Sequence, residues 1–311
     1  MEIKKVFIFF FSLIFFATCT QNEEAKVENI GEERLKPQFP FKGRIVFQSN
    51  FDGDSEIYLM TKRGIKKLTD NTWNDEYPVW SPDGKKIAFS ANPDGNYDIF
   101  IMNADGTGIT PVVTSPTDEK NPAWFPDGKS IAYTRGKKGL LRKARVLYRV
   151  NLETEKTEKI LPQFSRANVV PHISPVASLM TFTGKRTMGW DVAVCNMETT
   201  DVKFLDEGGK SCRARFSKNG QRLVYVSSKA DGKGDIWLMR PDGSGKTRLT
   251  KMDDTYEYFP SWSPDGKYIV FNSSQHVEHD SDWKLYILKL KTQEVFYLFD
   301  SPGNDIFPDW Y

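Results

Sequence analysis

From about residue 43 to the end of the chain, apolar and polar positions alternate in short runs bounded by turn residues. The runs Ile45-Val46-Phe47, Ile87-Ala88-Phe89, Ile131-Ala132-Tyr133, Met180-Thr181-Phe182, Leu223-Val224-Tyr225 and Ile269-Val270-Phe271 recur at wide, even intervals. Each is followed by a further apolar run, clearest in Glu56-Ile57-Tyr58-Leu59-Met60, Asp98-Ile99-Phe100-Ile101-Met102 and Asp235-Ile236-Trp237-Leu238-Met239. Turns such as Asp105-Gly106 and Asp242-Gly243 lead to another short segment, as in Arg248-Leu249-Thr250. Period-two hydrophobicity broken by Asp-Gly is the signature of β-strands joined by hairpins.

A second pattern lies ahead of five of these runs. Pro78-Val79-Trp80-Ser81-Pro82-Asp83-Gly84-Lys85 returns as Pro122-Ala123-Trp124-Phe125-Pro126-Asp127-Gly128-Lys129 and Pro260-Ser261-Trp262-Ser263-Pro264-Asp265-Gly266-Lys267. Degraded copies are Pro171-His172-Ile173-Ser174-Pro175 and Arg215-Phe216-Ser217-Lys218-Asn219-Gly220, and Pro308-Asp309-Trp310-Tyr311 closes the chain. The anchors Trp80, Trp124, Ile173, Phe216, Trp262 and Trp310 are 44, 49, 43, 46 and 48 residues apart, the period of a four-stranded propeller blade. The pattern predicts an all-β, six-bladed β-propeller of four-stranded antiparallel blades. Blade 1 lacks an innermost strand of its own, and the C-terminal Phe307-Pro308-Asp309-Trp310 is an innermost strand without a blade. Pairing the two closes the ring and leaves no open edge.

Composition fits one large domain: 311 residues, 39% hydrophobic and 14% aromatic, enough to bury a substantial core. A formal net charge of +2 with no basic stripe argues against a nucleic-acid partner. Lys4 and Lys5, the apolar run Val6 to Phe16 broken only by Ser12, and Ala17-Thr18-Cys19 read as an export signal. Eleven residues are too few to span a bilayer, which takes roughly 20. The small-residue pair before Cys19 resembles a bacterial lipobox, with Phe16 and Thr18 departing from its usual residues. The expected organisation is a signal over 1–19 ending at a lipidated Cys19, a polar tether over 20–42, and the propeller over 43–311. Cys195 and Cys212 fall at opposite ends of a sheet in this reading, too far apart for a bridge, so both are expected free.

The strings at residues 80–85, 98–103 and 104–108 resemble the WD40-like repeats of the TolB propeller family. The likeness covers about residue 43 to 311, strongest in blades 2, 5 and 6. It implies a monomeric, non-enzymatic scaffold in the cell envelope with a protein partner, the family docking to a peptidoglycan-associated lipoprotein. Members of that family carry an additional domain ahead of the propeller, for which the roughly 20 residues after Cys19 are too few. A lipid anchor on the propeller is a second departure from that family, so the expectation is a TolB-like propeller lipoprotein, exported and anchored in the cell envelope by lipid alone, at the outer membrane facing the periplasm or the surface.

Blade geometry sends the repetitive Pro-Asp-Gly and Ala-Asp-Gly turns to one face and the variable connections to the other, where binding is expected. Arg135, Lys137, Lys138, Arg142, Lys143, Arg145, Lys185 and Arg186, with Arg213 and Arg215, make one side of that mouth basic. Asp52, Asp54, Asp75, Glu76, Asp94, Asp280, Asp282 and Asp305 make the other acidic. Trp73, Tyr77, Tyr97, Trp190, Tyr256, Tyr258 and Trp283 are the aromatic anchors available to a partner.

Catalytic chemistry is sparse. No Gly-x-Ser-x-Gly elbow, phosphate loop or dinucleotide motif occurs. His172 sits on an innermost strand where other blades have Val79, Ala123, Ala214, Ser261 and Asp309, which makes it a candidate channel residue. A carbohydrate-binding or lyase-like channel is the alternative function. His276, His279, Asp280 and Asp282 carry transition-metal ligand chemistry within one loop, and Asp52-Gly53-Asp54-Ser55-Glu56 resembles a calcium loop without its full spacing.

Overall fold

The computed structural model describes residues 37–136, 145–161, 168–205, 208–277 and 282–311; Cys19 and the segment expected to be an export signal lie outside them. The described residues form six four-stranded antiparallel sheets and no helix. Blade 1 holds β1 (Ile45–Ser49), β2 (Glu56–Thr61) and β3 (Gly64–Lys67). Blade 2 holds β4 (Asp75–Trp80), β5 (Lys86–Ala91), β6 (Asp98–Asn103) and β7 (Thr110–Val113). Blade 3 runs through β8 (Glu119–Trp124), β9 (Ser130–Gly136), β10 (Arg145–Asn151) and β11 (Thr157–Lys159). Blade 4 runs through β12 (Asn168–Ile173), β13 (Leu179–Lys185), β14 (Trp190–Asn196) and β15 (Val202–Phe204). Blade 5 comprises β16 (Ser211–Phe216), β17 (Leu223–Ser227), β18 (Asp235–Met239) and β19 (Thr247–Arg248); blade 6 comprises β20 (Tyr256–Trp262), β21 (Tyr268–Ser274), β22 (Lys284–Lys289) and β23 (Glu294–Phe299).

The last strand, β24 (Ile306–Trp310), joins blade 1 as its innermost strand, in the order β24-β1-β2-β3. Ile45 faces Trp310 and Val46 faces Asp309 across this junction. The first strands touch in sequence around the axis, from β4 through β8, β12, β16, β20 and β24 and back to β4. The ring is closed without a covalent bond, as the half-repeat at the C-terminus predicts.

The core is divided by seam. Val46, Trp80 and Phe89 fill the space between blades 1 and 2, Ala88, Trp124 and Tyr133 that between blades 2 and 3, and Ala132, Ile173 and Phe182 the next. Phe216 with Val192, Trp262 with Val224, and Trp310 with Val270 fill the remaining three. Each repeat anchor therefore serves one seam, so the repeat period is a packing period. Two indoles also bond across seams, Trp124 Nε1 donating to Val79 O at 3.3 Å and Trp262 Nε1 to Arg215 O at 3.1 Å, while Trp310 Nε1 donates to Lys42 O, just ahead of β1, at 2.8 Å.

Packing begins ahead of the expected boundary at residue 43. Gln38 N donates to Leu298 O at 2.8 Å, Phe39 meets Phe296 with ring centroids 4.7 Å apart, and Phe41 is buried against Trp310. Cys195 and Cys212 are both free, and burial pushes the Cys195 thiol up to about 11.

The Pro-Asp-Gly turns are built as hairpin chemistry requires. Ser81 accepts from Gly84 N at 2.9 Å, Asp83 accepts from Ser81 Oγ at 2.7 Å, and Gly84 has φ +64°. A side chain there would strike the Tyr311 ring, so glycine is demanded by conformation and by space.

Candidate functional site

Every first strand carries the same irregularity. Tyr77, Asn121, Val170, Arg213, Phe259 and Phe307 all adopt left-handed φ between +54° and +58°, and the pairing register slips at this position in each blade. Three of the six are large rings. Tyr77 and Phe307 lie 4.2 Å apart and Phe259 and Phe307 3.9 Å apart by ring centroid. Arg213 stacks over Phe259 at 4.3 Å. Together they form a collar on the axis, at the end of the strands nearest the variable loops.

Beyond the collar lies a bore of about 520 Å³. Its wall runs from the collar residues to the prolines of the turns, Pro82, Pro126, Pro175 and Pro264, and includes Trp80, Trp124, Phe216, Trp262 and Trp310. Among the described residues, none on the loop side of the collar contributes to it. The concave site thus belongs to the Pro-Asp-Gly face, whose turns the sequence reading takes as scaffold alone.

Polar groups enter this apolar wall at the position just before each anchor. Aligned on the anchors, the six residues are Val79, Ala123, His172, Arg215, Ser261 and Asp309. The assignment of Ala214 to this ring is corrected: Ala214 is buried in a seam, and Arg215 lines the bore. Arg215 forms an ion pair with Asp309. Asp309 also accepts from Ser261 Oγ at 3.0 Å and from Trp80 N at 2.8 Å, so one carboxylate ties blade 1 to blades 2, 5 and 6. His172 Nδ1 accepts from Phe216 N at 3.3 Å, leaving Nε2 as its N–H. Burial, assisted by the nearby Arg215 charge, lowers the His172 pKa to about 3, so the ring is neutral at physiological pH. At the rim, Lys218 replaces the proline of the other turns; it is exposed and has no carboxylate partner among the described residues.

The loop-bearing mouth differs from expectation in its charges. Arg135 is bonded to Glu119 at 2.9 Å, Lys120 to Glu76 at 3.1 Å, and Arg215 to Asp309, so much of the two-sided field is spent internally. Asp305 is fully buried, accepting from Ser301 N at 2.7 Å, and Trp283 is buried against Tyr258. Neither can meet a partner as expected, because charge and aromaticity in a loop sequence do not reveal whether the loop folds inward. Trp73 is exposed; Arg186 lies half-exposed over Phe204, Trp190 under Lys185, Arg213 over Tyr258, and Tyr256 beside Lys233. Arg142 and Lys143 lie outside the described residues.

The metal candidates do not converge. Among the described residues no three His, Cys, Asp or Glu side chains are placed to share an ion. Asp282 pairs with Lys284 at 3.0 Å, His276 is exposed, and His279 and Asp280 lie outside the described residues. In the calcium-like stretch, Lys67 Nζ takes the place a cation would need, 2.7 Å from Asp52 and 3.5 Å from Glu56.

Known proteins share this architecture. Dipeptidyl-peptidase 5 of Porphyromonas gingivalis is 28% identical over 270 residues, 80% of this chain and 36% of that protein. The Tol-Pal system protein TolB of Nitratidesulfovibrio vulgaris is 33% identical over 67 residues, 22% of this chain and 14% of that one. The chain spans about half or less of the length of the curated relatives it matches. The crystal structure of TolB from Acinetobacter baumannii superposes with a TM-score of 0.73 at 19% identity, covering 87% of this chain and 67% of that one, a likeness of fold. The family model for the TolB beta propeller domain matches residues 12–186, more than half of the sequence. With its six seams, its closing C-terminal strand and that match, the chain belongs to the TolB beta-propeller family.

Proposed function

We propose that the chain is an exported envelope lipoprotein, anchored through Cys19, whose propeller binds a segment of another envelope protein without catalysis. The observation that carries this reading is the bore: 520 Å³ is the size of a ligand pocket, and its wall of indoles and prolines suits side chains of a peptide or loop. The charged and basic groups inside it, behind the rim lysine, are already engaged. Arg215 and Asp309 neutralise each other, and His172 spends Nδ1 on a backbone N–H and resists protonation. Ser261 Oγ donates to Asp309 at 3.0 Å, but that carboxylate is already paired with Arg215, which disfavours its acting as a base. The partner's seat is thus proposed on the Pro-Asp-Gly face rather than the loop-bearing mouth, with Lys218 as a rim contact for an acidic group.

Affinity capture with crosslinking from intact cells tests this. Lys218→Trp, which crowds the bore mouth from an exposed position, is expected to lower partner recovery at least tenfold. Reversal to Glu of Arg186 on the opposite mouth, together with Arg142 and Lys143, is expected to leave recovery unchanged. The opposite pattern would move the partner to the loop-bearing mouth, and glycan-array binding abolished by His172→Ala would replace the protein partner with a carbohydrate. For the anchor, Cys19→Ser is expected to shift the protein from the membrane to the soluble fraction; retention on the membrane would refute lipidation at Cys19.

A further inference from the structure

The residue two places before each collar position is polar and buried in every blade: Asp75, Glu119, Asn168, Ser211, Glu257 and Asp305. In four blades its backbone N–H crosses the seam to the preceding blade. Asp75 N donates to Ser55 O at 2.6 Å, Glu119 N to Tyr97 O at 2.6 Å, Glu257 N to Gly234 O at 2.7 Å and Asp305 N to Trp283 O at 2.9 Å. Those bonds set each residue beside the one that opens the neighbouring blade's third strand. In three seams that neighbour is a second buried acid: Glu56, Asp98 or Asp235.

We propose that the seams between blades 1 and 2, 2 and 3, and 5 and 6 are each clasped by a carboxylic acid–carboxylate pair sharing one proton. The ring is then held more firmly in mild acid than above neutrality.

Each pair has a single cation to balance two acids. Lys67 reaches Glu56 at 3.5 Å while also serving Asp52 and Asp70; Arg135 reaches Glu119 at 2.9 Å; Arg248 reaches Asp235 at 2.7 Å while also serving Asp231. The remaining neighbours are neutral. Asn71 Nδ2 bridges Asp75 at 2.7 Å and Glu56 at 3.5 Å; Ser115 donates through N to Asp98 at 3.0 Å and through Oγ to Glu119 at 2.6 Å; Thr250 donates to Glu257 at 3.1 Å. One buried oxygen in each pair, Asp75 Oδ1, Glu119 Oε2 and Asp235 Oδ2, lacks a well-formed hydrogen bond among the described residues, with Thr69 near Asp75 and Trp237 near Asp235 as weak donors. Two buried charges, one of them with an unsatisfied oxygen, are costly, and a proton supplies both the missing donor and the missing charge.

Burial lifts Asp75, Glu119 and Asp235 above the ordinary carboxylate range and Glu257 to about 7. The native state therefore holds protons that the unfolded chain, titrating near pH 4, has released. Stability from this source is complete below the unfolded value and is lost as pH rises through about 7. Between those limits each pair lowers the folding constant by up to tenfold per pH unit. Asp305, raised to about 7 chiefly by burial with a smaller push from Asp300, adds a fourth contribution of the same sign.

Urea unfolding of the full chain from pH 5 to 8.5 reads this slope. Asp75→Asn, Glu119→Gln and Glu257→Gln each remove an acid that burial lifts and are expected to flatten the slope, and the triple variant to retain chiefly the shares of Asp235 and Asp305. Infrared spectra in D₂O at pH 6 are expected to show a protonated-carboxyl band in the native protein that disappears on unfolding. The proposal is overturned if the wild type lacks that band, a result independent of whether any variant folds. An unchanged slope in the triple variant overturns it equally.

Discussion

Deleting Asn304–Tyr311 is expected to leave a chain that does not fold cooperatively. The loss is larger than one strand. β1 is buried along its whole length and would face water along the edge that β24 now covers. Trp310 leaves the seam between blades 6 and 1; a buried indole removes about 150–250 Å² from water, an upper estimate of roughly 4–6 kcal/mol. The reciprocal bonds Arg44 N to Tyr311 O at 2.6 Å and Tyr311 N to Arg44 O at 2.8 Å go as well, as do Phe307 from the collar and Asp309 from the bore. Against a typical total stability of about 5–15 kcal/mol, these losses leave no margin. Calorimetry should show no transition comparable to that of the full chain. A truncated protein melting within a few degrees of it would refute closure by β24.

The fold was legible because the repeat writes its packing directly. Trp80, Trp124, Trp262 and Trp310 fill seams, and the glycine of each Pro-Asp-Gly turn must adopt positive φ, so few other residues can stand there. The site was less legible for reasons of the same kind. The collar depends on a left-handed backbone at Tyr77, Phe259 and Phe307, residues that seldom mark such a conformation; only Asn121 among the six is a usual occupant. The end at which the channel narrows is therefore hidden, and the longer, more varied loops draw attention to the opposite mouth. Arg215 is missed because blade 5 reads Arg213-Ala214-Arg215-Phe216 without the proline that sets the frame elsewhere, so a shift of one residue replaces a bore arginine with a core alanine. Asp305 misleads in another way: its acidity suggests exposure, whereas it is one of six buried polar residues beneath the loops.

Asp309→Ala is expected to cost about 3–5 kcal/mol, because it strands a charge that folding has withdrawn from water. Arg215 and Asp309 are each only 16% exposed in their side chains. Removing the carboxylate leaves the guanidinium unbalanced and takes acceptors from Ser261 Oγ and Trp80 N. The cost should fall sharply when both partners go together. Arg215→Met with Asp309→Leu places two apolar side chains against a wall already built of indole and proline, and replacing a buried pair in this way is often neutral or better. Chemical denaturation of the two single variants and the double variant therefore distinguishes two roles. If the double variant is as unstable as Asp309→Ala, the carboxylate matters chiefly as a tie between blade 1 and its neighbours. If most of the stability returns, the pair is dispensable for closing the ring, and its presence in the bore is left to recognition. The second outcome is the expected one, since the anchors already close each seam and the bore is the one place where these charges meet an open cavity.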